Sequence, residues 1–187
     1  AQVTLPREVT DPLEVLLITK DNLAGYHREL VEHFILEDKW GRWLGRWTAE
    51  ENLHAIAIRD YLVVTRNVDP VADEQVRVNH VMRGYRASNY TQIETLVFMA
   101  LLERAHAVYV RNLEARIQEP VLKKLVGRIA SDEERHQEFF DNLVVHCLEN
   151  HRDSTLAAIA RRAVGFPVIG GDILEYRETK LRTVAET

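Results

Sequence analysis

The chain has 187 residues, of which 46% are hydrophobic and 28% charged, with only 8 Gly and 5 Pro. This size suits one domain with a substantial core, and the composition argues against a disordered chain and for long, seldom-broken helices. A formal net charge of −5 argues against nucleic-acid binding, and the longest apolar stretch, Leu96–Leu102, is too short to span a bilayer. Cys147 is the only cysteine, so no intrachain disulfide can form, and Ala1-Gln2-Val3-Thr4 lacks the pattern of a signal peptide. A cytoplasmic protein without membrane insertion is expected.

Residues before Asp11 read as an extended lead-in, with Asp11 as an N-cap and Pro12 at the first helical position. A first helix is then predicted from Pro12 to about His33. A second starts near Asp38 and runs to about Thr65, stopped by Asn67-Val68-Asp69-Pro70. A third, weaker helix covers Val71 to about Tyr85. Thr91 caps a fourth that runs towards Ile117, and Glu119-Pro120 opens a fifth that ends near Asn150. A short sixth spans about Ser154 to Val164. Gly165-Phe166-Pro167 and Gly170-Gly171 then form a loop, and Asp172 starts a last charged helix. No internal repeat is present, so residues 1–187 are expected to form a single domain, with a core over about 12–164 and a loop and terminal helix over 165–187.

Read at three- and four-residue spacing, each long predicted helix carries an apolar stripe that an ionisable residue interrupts. The second reads Trp40, Leu44, Trp47, Glu51, His54, Ile58, Leu62; the fourth reads Ile93, Leu96, Met99, Glu103, Val110, Leu113. On the fifth the stripe is Leu122, Leu125, Ile129, Glu133, His136, Phe140, Leu143, and on the first it is Leu13, Leu16, Lys20, Ala24. A buried carboxylate without a partner costs several kcal/mol, so such a set calls for a counter-charge or a metal. Residues three apart lie one above the other on a helix, so Glu51 with His54, and Glu133 with His136, can each face one ion. Two helices bearing Glu-x-x-His and two others supplying one Glu each form the pattern of di-iron and di-manganese carboxylate bundles. Carboxylates with few imidazoles and no thiolate suit iron or manganese. The bland alternative is that such pairs lie on the surface, but their place on apolar stripes in the right helical order favours the metal reading.

The wording around these residues carries a more specific likeness. Trp47-Thr48-Ala49-Glu50-Glu51-Asn52-Leu53-His54 resembles the W-T-A-E-E-N-x-H motif of the soluble acyl-carrier-protein desaturases, and Asp132-Glu133-Glu134-Arg135-His136 resembles their D-E-x-R-H motif. Glu103-Arg104-Ala105 is similar to the E-R-A of the helix that supplies a lone Glu, and the order and separations agree from about Pro12 to Pro167. The resemblance implies an all-α, ferritin-like helical bundle with a metal site between four core helices, usually as a homodimer. It implies two iron ions, dioxygen and a ferredoxin-type electron donor. The implied reaction places a cis double bond in a long saturated acyl chain on acyl-carrier protein. By the same resemblance Glu51 and Glu133 would bridge the metals. His54 would be terminal on one, and Glu103 and His136 would be terminal on the other. Asp132 would orient a histidine ring.

The sequence departs from that family at two places in the site. Where the family reads about T-E-E-x-L-x-x-Y, this chain reads Thr19-Lys20-Asp21-Asn22-Leu23-Ala24-Gly25-Tyr26, so a ligand Glu is replaced by Lys20. Lys20 can be neutral and coordinate, can stretch to solvent and leave a water in its place, or can leave the His54 position without a metal, giving a one-metal site at Glu103 and His136. Asp21 substitutes only if the helix turns by about 100°. The second departure is His106, where the family commonly has Thr: an extra ligand, a proton donor and candidate catalytic residue, or, as the favoured expectation, a core histidine with a satisfied hydrogen bond. Family members also normally carry more chain at both ends. Two function classes follow. One is an oxygen-dependent desaturase. The other is a catalytically impaired, metal-binding relative that binds acyl-carrier protein or acts in a complex.

Overall fold

A computed structural model describes residues 3–34, 37–83, 89–167, 169–173 and 180. Among them are seven α-helices and no strand: α1 (Arg7–Lys20), α2 (Leu23–His33), α3 (Asp38–Val64), α4 (Pro70–Met82), α5 (Gln92–Arg116), α6 (Pro120–Asn150) and α7 (Arg152–Val164). The boundaries of α3, α5 and α6 follow the local chemistry. Thr91 and Glu94 form a capping box that opens α5, and the Glu119 carboxylate caps α6 with Pro120 at the first helical position. Asp69 and Pro70 open α4 in the same way.

The first predicted helix is two helices, and it begins earlier than expected. Pro6, not Asp11, is the N-cap of α1: its carbonyl accepts from Val9 and Thr10 at 3.0 and 3.1 Å, and Pro12 lies inside the helix. Starting at Arg7 buries Val9 beside Leu13 and Leu16. Asp11 is drawn instead towards Lys180, 4.0 Å away, and Tyr109 donates to the Pro12 carbonyl at 2.9 Å. Twelve successive residues of α1, Val9 to Lys20, are buried, as befits a helix covered on every side. The chain breaks between α1 and α2 at Asp21-Asn22, where the Arg77 guanidinium of α4 grips the Asp21 carboxylate with two hydrogen bonds of 2.8 Å. The expected helix from Asp172 falls largely on residues 174–179, outside the described residues.

α5 and α6 make the most extensive helix pair, and α1 packs against α3. The apolar interior falls into two main clusters. One contains Leu13, Leu16, Leu17, Ile58, Leu62, Val110, Leu113, Leu122, Val126 and Ile129; the other contains Leu30, Leu44, Trp47, Leu96, Met99, Leu102 and Phe140. Along α3 the sequence passes from the second cluster (Trp47) through Glu51 and His54 to the first (Ile58). Along α5 it passes from Met99 through Glu103 and His106 to Val110, and along α6 in the opposite sense from Ile129 through Glu133 and His136 to Phe140. The ionisable residues therefore form one layer, closed above and below by hydrocarbon.

The capping box gives a direct check on α5. Thr91→Ala removes the hydroxyl that accepts from the Glu94 N–H, at a cost of about 1 kcal/mol. For a chain of this size that lowers Tm by about 2–4 °C; an unchanged melting curve would show that the cap contributes nothing.

Candidate metal centre

Each helix delivers its polar residue at one level. Glu51, Glu103, Glu133 and His136 are all buried, and one potential ligand atom from each lies within 4.8 Å of the others. Glu103 and Glu133 are 0% exposed. His54 lies beside this group, its Nδ1 3.0 Å from Glu133 Oε1 and 3.4 Å from Glu51 Oε1.

Lys20 enters from α1. Its Nζ is 2.6 Å from Glu51 Oε2 and 2.5 Å from Glu133 Oε1, with its side chain 1% exposed. It is therefore neither solvent-facing nor turned away from the interior, and Asp21 points to Arg77 and takes no part. Nor is it a neutral ligand. Burial lowers its pKa, but the carboxylates of Glu133, Glu51 and Glu103 more than offset this and hold the ammonium above its ordinary pKa. Lys20 also ends α1, where the partial negative charge of the helix C-terminus favours a cation. Burial opposes ionisation of Glu51, which Lys20 and the two imidazoles keep well below the usual carboxylate range; Glu133, despite burial and the charge of Glu51, is held at about 2 by Lys20 and His54. Glu103 has no such partner. Burial first, then repulsion from Glu51 and Glu133, raises it well above the ordinary value, so it is the carboxyl that keeps a proton when no cation faces it.

The two outer imidazoles are oriented from behind. His136 Nε2 is 3.0 Å from Glu50 Oε2, and His54 Nε2 is 3.3 Å from Asp132 Oδ2. An Nε2–H donated to Glu50 leaves the His136 Nδ1 lone pair facing inward. Burial would lower the His54 pKa, but the carboxylates of Glu133 and Glu51, 3.0 and 3.4 Å from Nδ1, raise it to about 9. Glu50, itself paired with Arg46 at 2.9 Å, was not singled out from sequence. The Glu50-Glu51 doublet was the available signal, since neighbours 100° apart on a helix reach different sides of an imidazole. Trp47 was assigned only to the core, yet its indole Nε1 donates to Glu103 Oε1 at 3.1 Å.

The donor set fits a divalent cation. Glu51 Oε1, Glu103 Oε2, Glu133 Oε2 and His136 Nδ1 are all buried without a hydrogen-bond partner, a cost of about 1–3 kcal/mol per atom that one ion would remove. Oxygen donors with an imidazole suit iron or manganese. His106 is also buried and neither of its ring nitrogens is hydrogen-bonded, so the expected satisfied core histidine is not what the structure shows. Burial first, then Lys20, pushes its pKa down to about 4, so the ring is neutral. A cavity of about 590 Å³ between α2 and α3, lined by Ala24, His27, Thr48, Asn52 and Ala55, reaches Lys20.

Removing the internal cation tests its role. Lys20→Met leaves Glu51 and Glu133 without it and lowers the stability of metal-free protein by about 3–5 kcal/mol in urea titrations, with recovery on adding Mn²⁺; a variant as stable as wild type without metal would contradict the ion pair. Charge balance gives a second expectation. Metal uptake is expected to release protons, because a bound cation opposes the protonated forms of Glu103 and His54; calorimetry in buffers of different ionisation enthalpy reads this, and release near zero would contradict it.

Comparison with known proteins agrees with this reading of the fold. The fatty acid desaturase family profile matches residues 2–166. The chain is 68% identical over 186 residues to DesA2 of Mycobacterium tuberculosis, described as a putative acyl-[acyl-carrier-protein] desaturase, covering 100% of this chain and 67% of that protein. It is 39% identical over 169 residues to DesA1 of the same organism, covering 86% of this chain and 50% of that one. A third relative, stearoyl-[acyl-carrier-protein] 9-desaturase 6 of Arabidopsis thaliana, is 30% identical over 172 residues, 84% of this chain and 43% of its own. The X-ray structure of DesA2 superposes with a TM-score of 0.82 at 57% identity, covering 99% of this chain and 66% of that one. The chain thus spans about two thirds of the DesA2 length and half of DesA1. The all-α, ferritin-like bundle is the fold expected from sequence, and no helix among the described residues is long and apolar enough to cross a membrane. With a family match over nearly its whole length and these relatives, the chain belongs to the fatty acid desaturases, among the acyl-[acyl-carrier-protein] desaturases.

Proposed function

We propose that this chain carries an oxygen-dependent acyl-carrier-protein desaturase centre, built on one tightly held iron ion bound by Glu51, Glu103, Glu133 and His136. The observation that carries it is the convergence of those four buried residues, each with an unpartnered atom. When bound, the metal would supply the dioxygen chemistry that oxidises a carbon–carbon single bond to a cis double bond. The chain's own residues do the rest. Glu50 and Asp132 fix the His136 and His54 rings, Trp47 orients Glu103, and the apolar layers on either side exclude water. The substrate proposed is a long saturated acyl chain on acyl-carrier protein, and the electrons come from a ferredoxin-type donor. The proposed setting is a cytoplasmic homodimer.

The one-ion stoichiometry rests on Lys20. Its ammonium touches both Glu51 and Glu133, the carboxylates that would bridge two metals, on the side where His54 lies. Charges agree: three carboxylates balance one ammonium and one divalent ion, whereas a second ion would leave the dry interior with two uncompensated positive charges, at a cost of several kcal/mol each. The same contact favours a second reading, a catalytically impaired relative that keeps the fold and binds acyl-carrier protein.

Metal analysis of protein loaded with Fe²⁺ and desalted is expected to give one ion per chain for wild type and two for Lys20→Glu. Two tightly held irons in wild type would overturn the one-ion centre. Acyl-carrier-protein desaturation with a ferredoxin reducing system separates the two readings. Product from wild type supports the desaturase, and product from Lys20→Glu alone supports the impaired relative.

A further inference from the structure

We propose that His106 is a second imidazole donor to the ion held by Glu51, Glu103, Glu133 and His136. This rests on the metal centre proposed above and adds to it a residue that the desaturase pattern does not include.

His106 lies three residues after Glu103 on α5, so both side chains leave the helix on one face. It is 1% exposed, and neither Nδ1 nor Nε2 has a hydrogen-bond partner. A buried imidazole of this kind needs either a polar partner or an ion. Its Nδ1 stands 3.7 Å from Glu133 Oε2, which is too long for a hydrogen bond. That oxygen is itself unpartnered.

The Glu133 carboxylate shows on which side His106 stands. Oε1 is taken by Lys20 at 2.5 Å and by His54 at 3.0 Å, whereas Oε2 is turned to His106. The imidazole therefore shares the side of the carboxylate that the internal ammonium leaves open. Donors on one ion sit about 2.0–2.2 Å from it, so neighbouring donors lie roughly 3–4 Å apart. The 3.7 Å between His106 Nδ1 and Glu133 Oε2 falls in that range, as do the 3.3 Å and 3.9 Å from His136 Nδ1 to Glu51 Oε1 and Glu103 Oε2. Two unpartnered atoms that face each other across such a gap are placed for a shared cation. With His106 bound, the coordination sphere gains a nitrogen and loses an open position, which makes this centre narrower than a site of three carboxylates and one imidazole.

Pulsed electron paramagnetic resonance on Mn²⁺-loaded protein counts the nitrogens bound to the metal. Two coupled imidazole nitrogens are expected in wild type, one in His106→Gln, and two in His54→Gln. Mn²⁺ affinity of His106→Gln is expected to fall by about 10- to 100-fold. A single coupled nitrogen in wild type, with Mn²⁺ bound, overturns the role of His106 and leaves the four-residue centre standing. Two couplings that survive in His106→Gln and fall to one in His54→Gln do the same. No Mn²⁺ binding at all overturns both readings. If His106→Gln does not fold, wild type and His54→Gln decide alone, since two couplings without His54 leave only His106 and His136 as buried imidazoles at the cluster.

Discussion

Three glutamates enclosed in hydrocarbon set the terms for the rest of the molecule. Carboxylates this deep cannot be left as bare anions, because removing a charge from water costs far more than most single contacts return. The chain answers in two ways. Lys20 meets Glu51 and Glu133 directly, and Glu103, which receives only an indole N–H, is pushed towards its protonated form. Coulomb attraction between buried groups is strong enough to reverse the ordinary effect of burial on a lysine. The position that would weaken an acidic metal site is thus the one that supplies a counter-charge to two of its buried carboxylates.

The architecture serves that polar layer. The two apolar clusters above and below it draw on the same helices, α3, α5 and α6, so each helix is anchored on both sides of its ionisable residue. Side chains locked at both ends of a segment hold the intervening Glu and His in place, which a loop could not do to the same tolerance. Support then extends outward from the layer. Glu50 is held by Arg46, and Asp132 is held by Arg135, so the residues behind the imidazoles are themselves tied to charges nearer solvent.

How far this was legible in the sequence depended on whether the governing interaction was local. Thr91 as a cap, Glu119-Pro120 as a helix opening and Asp69-Pro70 as a break are local signals, and they located α5, α6 and the start of α4 closely. Period and motif likewise placed Glu51, Glu103, Glu133 and His136 on inward faces, since their helical spacing is written in the chain. The break after Lys20 was not legible, and neither was the Asp21–Arg77 pair formed there, whose partners are 56 residues apart. The protonation state of Lys20 was also out of reach: burial and the carboxylates act in opposite directions, and only distances decide between them. Glu50 and Trp47 were visible as residues but not as partners of His136 and Glu103, for the same reason.

The ammonium of Lys20 has a consequence for how such a protein comes into being. A small domain whose acidic residues find charge balance only in a metal stays unfolded until the metal arrives. Here one counter-ion is written into the polypeptide and travels with it. The charge that Glu51 and Glu133 need on being buried is thereby present as soon as the chain is made, whatever later fills the space beside them.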